Sequence, residues 1–306
     1  MTGADGFVGR HLVRRLVEMG HEVFAGCRPG GEPVDRWLGA QWREALRLVE
    51  LEITEPASLA RVLNDEPEAI VHLAAVAYSR EAQADPARAW DVNVGGTAQL
   101  LRAAAERYPS GSKGPLVLVA SSAEVYAPGE PRPRVETDAL RPLSVYGWSK
   151  LGAEAAAGHA HRAWGLRVVV VRPFPATGPG QSNRVVPDWL AALRRGEIEI
   201  QGEAAVIRDY LDVRDMAEAY VSLLGSGLPG ETYNIAGGRE IRFGELLAKL
   251  GSLVGVRPRL VPSANPRTGL SYLVGDPRKL HQHTGWEPTI PLEQTLADLV
   301  SYAQAH

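Results

Sequence analysis

Strands that are apolar at nearly every position, spaced by helical patterns, constrain this chain more than any other feature. Ala69 to Ala75, Leu116 to Ala120 and Leu166 to Val171 are such runs, and the helical patterns Val92 to Arg107 and Tyr146 to Ala163 lie between them. A strand with no polar face must be covered on both sides, which is the situation of a parallel sheet between two layers of helix. The expected fold class is therefore α/β, a doubly wound parallel sheet. Ligands of such sheets sit beyond the carboxyl ends of the strands. Ala74-Ala75 and Ser121-Ser122 both fall at such ends.

Thr2-Gly3-Ala4-Asp5-Gly6-Phe7-Val8-Gly9 spaces three glycines as G-x-x-G-x-x-G ahead of the amphipathic run Phe7 to Met19. Glycine permits a tight turn, close approach of backbone to a pyrophosphate and close packing of helix on strand. The helix start adds free N–H groups and the positive end of its dipole. An ordinary strand–helix turn is the plain alternative, and the following segment argues against it in favour of a Rossmann-type dinucleotide site. His21 to Arg28 reads as a second strand ending on Arg28, with no acid between Val23 and Gly31. A carboxylate there holds the ribose 2′-hydroxyl of NAD, whereas an arginine suits a 2′-phosphate. The expected cofactor is NADP(H), with NAD as the alternative. The first, central strand of such a sheet needs about four or five apolar residues before the glycine turn. Only Met1 precedes Thr2, so either the chain begins internally or the start is mis-assigned.

Tyr146-Gly147-Trp148-Ser149-Lys150 sets a phenol and an ammonium four positions apart at the head of a helical pattern. Residues i and i+4 share one face of a helix. A tyrosine of pKa about 10 needs about 4 kcal/mol of help to exchange protons near neutrality. One cation at ~4 Å supplies about 1 kcal/mol in water and about 4 at an effective dielectric near 20. The pair therefore makes chemical sense in a sheltered cleft beside a cofactor, and otherwise reads as a solvated helix face.

Composition removes other classes. The 306 residues are 45% hydrophobic and 23% charged with a net charge of −3, ordinary for a globular protein and wrong for a nucleic-acid binder. No apolar segment reaches the roughly 18–20 residues of a membrane span, and no signal peptide opens the chain. The single cysteine, Cys27, excludes an internal disulfide and fits a reducing, cytoplasmic setting; it reads as packing at a strand end. His159/His161 and His281/His283 could each ligate a metal, but no further ligand set completes a site, and solvated helix faces are the expectation. After Pro173 the elements shorten and Gly and Pro become frequent. We expect a cofactor-binding domain over 1–172 plus about 209–236, and a substrate lobe over about 173–208 plus 237–306.

With these parts in order, the chain resembles the extended short-chain dehydrogenase/reductase family across nearly its whole length. The matching motifs are Thr2–Gly9, His72-Leu73-Ala74-Ala75, Asn93 within Val92–Thr97, Ser121-Ser122-Ala123-Glu124-Val125-Tyr126 and Tyr146–Lys150. Arg172-Pro173-Phe174, Thr177–Ser182, Arg208–Asp215, Val274–Leu280 and Thr284-Gly285-Trp286 are similar to the group of GDP-mannose 4,6-dehydratases and GDP-4-keto-6-deoxymannose reductases. The resemblance implies that Tyr146, Lys150 and Ser122 are catalytic, with Glu124 beside them. It places Gly3, Asp5, Gly6, Phe7, Val8, Gly9, Arg28, Glu52, Ile53, Leu73, Ala74, Ala75, Asn93, Lys150 and Pro173 at the cofactor, with Asp35 a weaker adenosine contact. Ser122, Ala123, Glu124, Tyr146, Val185, Arg208 and Arg267 would line the sugar-nucleotide site. Relatives dimerise through two helices, here roughly Val92–Arg107 and Tyr146–Ala163, so a homodimer is expected.

The implied reaction is hydride transfer between the nicotinamide and C4 of a nucleotide-activated hexose, with Tyr146 exchanging a proton with O4. A reductase needs one hydride and one proton; a 4,6-dehydratase must also remove a C5 proton and expel the C6 hydroxyl. Glu124 stands where dehydratases keep an acid, but similar reductases keep it too, and Ala123 lacks the polar group of dehydratases. The reductase is favoured, with 4,6-dehydratase or 4-epimerase as alternatives and a non-catalytic NADP-binding sensor as the reading from another class. Three departures from the group's pattern, Pro175, Leu270 and Ala127, leave the base and sugar open, with a GDP-sugar favoured.

Overall fold

The computed structural model describes residues 1–31, 34, 37–38, 40–110, 114–262 and 270–305. Along the first half, α1 (Phe7–Glu18), β1 (Val23–Cys27), β2 (Leu46–Glu50), α2 (Pro56–Leu63) and β3 (Ala69–His72) alternate. Then come α3 (Ser79–Ala84), α4 (Pro86–Trp90), α5 (Thr97–Arg107), β4 (Leu116–Ala120), α6 (Val145–Trp164) and β5 (Arg167–Pro173). The remainder holds β6 (Ala176–Thr177), α7 (Val185–Arg194), β7 (Glu199–Gln201), β8 (Ile207–Arg208), β9 (Leu211–Asp212), α8 (Val213–Ser226) and β10 (Thr232–Ile235). It closes with β11 (Ile241–Arg242), α9 (Phe243–Leu253), β12 (Arg259–Val261), β13 (Tyr272–Leu273), α10 (Arg278–Thr284) and α11 (Leu292–Ala305).

The main sheet is parallel throughout, in the order β2-β1-β3-β4-β5-β10, with Thr2 bridging β1 at Gly26 and β3 at His72. The short segment before the glycine turn thus occupies the central strand position. Thr2 N–H donates to the Val71 carbonyl at 3.0 Å, Leu73 N–H to the Thr2 carbonyl at 3.2 Å, and Gly26 N–H to the Met1 carbonyl at 2.8 Å. β4 is buried at all five positions and pairs with β3 and β5. An all-apolar strand is stable there because helices cover both faces. One apolar layer joins Leu12, Leu118, Val171, Met216 and Tyr220 from α1, the sheet and α8. The opposite layer joins Leu59, Leu100, Val119, Ala157 and Val170 from α2, α5, the sheet and α6. A further cluster holds Trp189, Leu190, Leu247 and Leu299 from α7, α9 and α11.

Most elements match the sequence pattern, but the helix expected over Val92–Arg107 opens differently. Asp91–Gly96 is a π-helical turn, and regular α-helix begins only at Thr97. A π turn re-aims the side chains it carries. Here it turns Asn93 inward, where its amide accepts from Val76 N–H at 2.8 Å and donates to the Val76 carbonyl at 3.1 Å and to Ser149 Oγ at 2.8 Å. The histidine pairs also find structural partners rather than only solvent: His161 contacts the Leu166 carbonyl at 2.9 Å, His281 the Trp286 carbonyl at 3.2 Å and His283 the Tyr233 hydroxyl at 2.7 Å. Among the described residues no group of three metal-ligating side chains occurs. No helix among them is long and apolar enough to cross a membrane.

Candidate active site

A single cleft of 2310 Å³ runs along the carboxyl ends of the strands, lined at one end by Gly3, Gly6 and Arg28 and at the other by Arg208 and Leu270. The glycine bend forms its floor. Gly3 has φ +67, and a Cβ there would stand 2.7 Å from the Ala74 backbone nitrogen. A Cβ at Gly9 would overlap the Gly3 carbonyl oxygen. These two glycines therefore let bend, helix and the Leu73–Ala75 turn pack back to back. Gly6 caps α1 with no side-chain acceptor, and no acid lies in the first turn. The first N–H groups of α1, at Phe7, Val8 and Gly9, have no acceptor within the helix and these residues line the cleft. Free donors, a dipole end and no acid in the first helical turn fit a dinucleotide's pyrophosphate.

A buried chain of hydroxyls and one imidazole holds this floor. Thr97 spends its proton on the Asn93 carbonyl at 2.6 Å, so its oxygen accepts from His72 Nε2–H at 2.9 Å. His72 Nδ1 then accepts from the Thr2 hydroxyl at 2.8 Å, and Thr2 Oγ1 accepts from Ala74 N–H at 3.1 Å. Burial, seconded by the Lys150 charge, holds His72 down at about 3, so the ring stays neutral and the chain keeps its direction. Ala74 and Ala75 are thus fixed against Gly3 by the same residues that make the sequence motif.

Arg28 is exposed at the cleft rim. Asp5, Leu73, Ala75 and Pro173 line the same end. Glu52 and Ile53 line it too, but the Glu52 carboxylate already accepts from Thr54 N–H at 3.2 Å and Thr54 Oγ1 at 2.8 Å. Ile53 packs against Gly96, where a Cβ would come within 2.9 Å. Asp35 and Arg267 lie outside the described residues.

Tyr146, Ser122 and Lys150 all line the cleft, and the Tyr146 phenol and Ser122 share a hydrogen bond. α6 starts at Ser144, whose hydroxyl accepts from Gly147 N–H at 3.0 Å. This cap sets Tyr146 and Lys150 on the buried face of the first turns, 9% and 5% exposed. Ser149 Oγ donates to the Tyr146 carbonyl at 2.8 Å and accepts from Asn93, which ties the π turn to the same helix. Lys150 Nζ donates to the Ala120 carbonyl at 2.8 Å. Burial pulls its ammonium down to about 8, opposed by the Glu154 carboxylate. The Tyr146 phenol is pushed up to about 12 by burial and then by Glu124, against Arg184 and a hydrogen bond with Ser122. The expected lowering of that phenol by Lys150 is not what acts on it here: burial and Glu124 dominate, and the side chain holds its proton firmly.

Ala123, next to Ser122 in the chain, is buried in an apolar cluster with Tyr126 and Phe174. Glu124 lines the cleft, but its carboxylate is clamped: Ser79 Oγ donates to Oε1 at 2.9 Å and Ser144 Oγ to Oε2 at 2.7 Å. At the far end Val185 opens α7. Arg208 donates to the Ile207 carbonyl at 2.8 Å with its guanidinium 5.6 Å from the Phe243 ring centre, and burial holds it below the usual arginine range. Residues that sequence reasoning missed include Ser79, Ser144 and Arg184. Arg184 crosses the cleft, donating to the Ala77 carbonyl at 2.8 Å with its Cζ 3.9 Å from the Tyr78 ring centre. A lone arginine before a helix carries no local signal that its partner lies 107 positions away.

A buried ion pair braces this centre from behind. Arg172 on β5 grips Glu154 on α6 through Nε and Nη2, both at 2.8 Å, while Ser121 Oγ donates to Glu154 at 2.5 Å. Arg172 Nη1 reaches the Tyr126 hydroxyl at 3.1 Å, which donates to Asn234 at 2.6 Å.

Residues 1–236 match the family described as NAD dependent epimerase/dehydratase family. A GDP-6-deoxy-D-mannose reductase of Pseudomonas aeruginosa is 32% identical over 313 residues, covering 98% of this chain and 95% of that protein. The structure of RMD from Pseudomonas aeruginosa complexed with NADPH superposes with a TM-score of 0.82 at 31% identity, covering 99% of this chain and 97% of that one. DesIV, a dTDP-glucose 4,6-dehydratase from Streptomyces venezuelae with NAD and TYD bound, gives a TM-score of 0.89 at 27% identity over 100% of this chain and 96% of that one.

Proposed function

The chain belongs to the NAD dependent epimerase/dehydratase family, and from that premise we propose an NADP(H)-dependent oxidoreductase acting at C4 of a nucleotide-activated hexose, in the manner of a GDP-4-keto-6-deoxymannose reductase. The observation that carries this reading is the convergence of Ser122, Tyr146 and Lys150 in one cleft with the glycine bend on one side and Arg208 on the other. The bound nicotinamide would supply the hydride. Tyr146 gives the proton to O4, and Ser122 orients that oxygen. The α1 start takes the pyrophosphate and Arg28 the 2′-phosphate. We further take residues 1–172 plus about 209–236 as the cofactor domain and about 173–208 plus 237–306 as the substrate lobe, a division supported by the separate apolar cluster around Leu190, Leu247 and Leu299. Exposed Trp90, just before the first of the helices that relatives use, and exposed Trp148, within the second, support a homodimer.

One feature favours reduction over 4,6-dehydration: Glu124, with both oxygens already accepting from serines, is poorly set to strip a C5 proton. The test offers NADPH with GDP-4-keto-6-deoxymannose and, separately, NADP+ with GDP-mannose. Loss of NADPH absorbance in the first supports the reductase; a keto-sugar in the second instead moves the assignment to dehydratase; inertness in both removes the substrate reading.

The choice of cofactor is tested at the rim. Arg28→Ala is expected to weaken NADPH about 10–100-fold, the size of a charge-assisted hydrogen bond, and to leave NADH unchanged, as measured by titration of each. Equal losses for both would remove Arg28 from the 2′-phosphate. For reduction, kcat/KM is expected to fall as pH rises through about 8, because the Lys150 ammonium discharges there while Tyr146, pushed up to about 12, stays protonated. A pH profile of Lys150→Arg, which keeps the charge, should move that limb upward.

A further inference from the structure

Tyr220 carries a hydroxyl that makes no hydrogen bond to the described residues. It lies on α8 with 1% of its surface exposed, yet it lines the cleft beside Met216. β10 runs parallel to β5, so α8, leading into β10, returns antiparallel to the strands. Side chains lean toward the start of their helix, and the Tyr220 ring therefore points toward the carboxyl ends of the strands, where the cleft lies. The other fully buried tyrosines satisfy their hydroxyls within the chain: Tyr126 donates to Asn234, and Tyr233 pairs with His283. Among the described residues Tyr220 has no such partner; only burial and the neighbouring Tyr146 act on its phenol, both pushing it up. A phenol that lines the cleft with no hydrogen bond to the described residues leaves its hydroxyl available to a ligand bound there.

We propose that the Tyr220 hydroxyl donates a hydrogen bond to the carboxamide oxygen of the nicotinamide and so fixes the ring against Tyr146 and Ser122. The chemistry selects this acceptor. A phenol that keeps its proton is a donor to neutral oxygen. A ring placed to deliver hydride beside Tyr146 has the carboxamide as its one polar substituent, and Met216 and Pro173 give it apolar surroundings. The inference rests on the dinucleotide reading above and adds a binding residue to it.

Calorimetric titration of wild type and Tyr220→Phe separates the two claims. The variant keeps the ring and its packing. It is expected to bind NADP+ roughly 3–10-fold more weakly, the loss of one neutral hydrogen bond, and to bind 2′-phospho-ADP-ribose, which lacks the nicotinamide, as wild type does. Unchanged NADP+ affinity, or equal weakening toward both ligands, overturns the role of Tyr220 while leaving the cofactor assignment in place. A changed KM for the sugar with unchanged NADP+ binding overturns it as well. Wild type that binds neither ligand removes the cofactor reading and this inference with it.

Discussion

Tyr146→Phe lowers turnover of the 4-keto sugar nucleotide about 10²–10⁴-fold, the contribution of a positioned general acid. The substitution removes one oxygen from a side chain held on the buried face of α6 by the Ser144 cap and the Ser149–Asn93 link. Those contacts involve backbone and neighbours rather than the phenol, so the fold and the NADPH affinity should survive. The expected signature is thus a collapse of kcat with a thermal midpoint close to wild type. Steady-state kinetics with thermal unfolding of the same samples checks both halves. An unchanged kcat would remove Tyr146 from the chemistry while leaving the fold intact.

Arg172→Met destabilises the protein by about 3–5 kcal/mol, because it strands the buried Glu154 carboxylate without its cation. The pair joins β5 to α6 at 5% and 9% side-chain exposure and also engages Ser121, the residue before Ser122. Loss of stability should therefore be accompanied by reduced activity in the protein that remains folded. An exposed pair provides the control: Arg14 and Glu18 on α1 are 56% and 30% exposed, and Arg14→Ala should cost under about 1 kcal/mol. Denaturant titrations of both variants give the comparison, and similar small losses in the two would show that the Arg172–Glu154 brace contributes little.

What was legible in the sequence was local. The glycine spacing of Gly3, Gly6 and Gly9, the apolar run Leu116–Ala120 and the interval from Tyr146 to Lys150 each carry their meaning within a few positions, because turns, strands and helix faces are set by near neighbours. Long-range partners were not legible. Ser79 and Ser144 clamp Glu124 from 45 and 20 positions away, and Arg184 reaches Ala77 across 107; only the folded sheet brings them together. The π turn at Asp91–Gly96 was missed for a related reason. Its pattern is helical, and the demand that re-aims Asn93 comes from Val76 and Ser149 on other elements. The state of Tyr146 was not legible because spacing reveals neither the burial nor the Glu124 charge that push the phenol up.

The most direct test follows the hydrogen. Enzyme, NADPH carrying deuterium at the transferred position of the nicotinamide, and the 4-keto sugar nucleotide are combined, and the product is read by NMR. A sugar with deuterium at C4, formed together with an equal amount of NADP+, is the predicted result. Recovery of unlabelled keto-sugar with the label still on the nicotinamide would contradict the account.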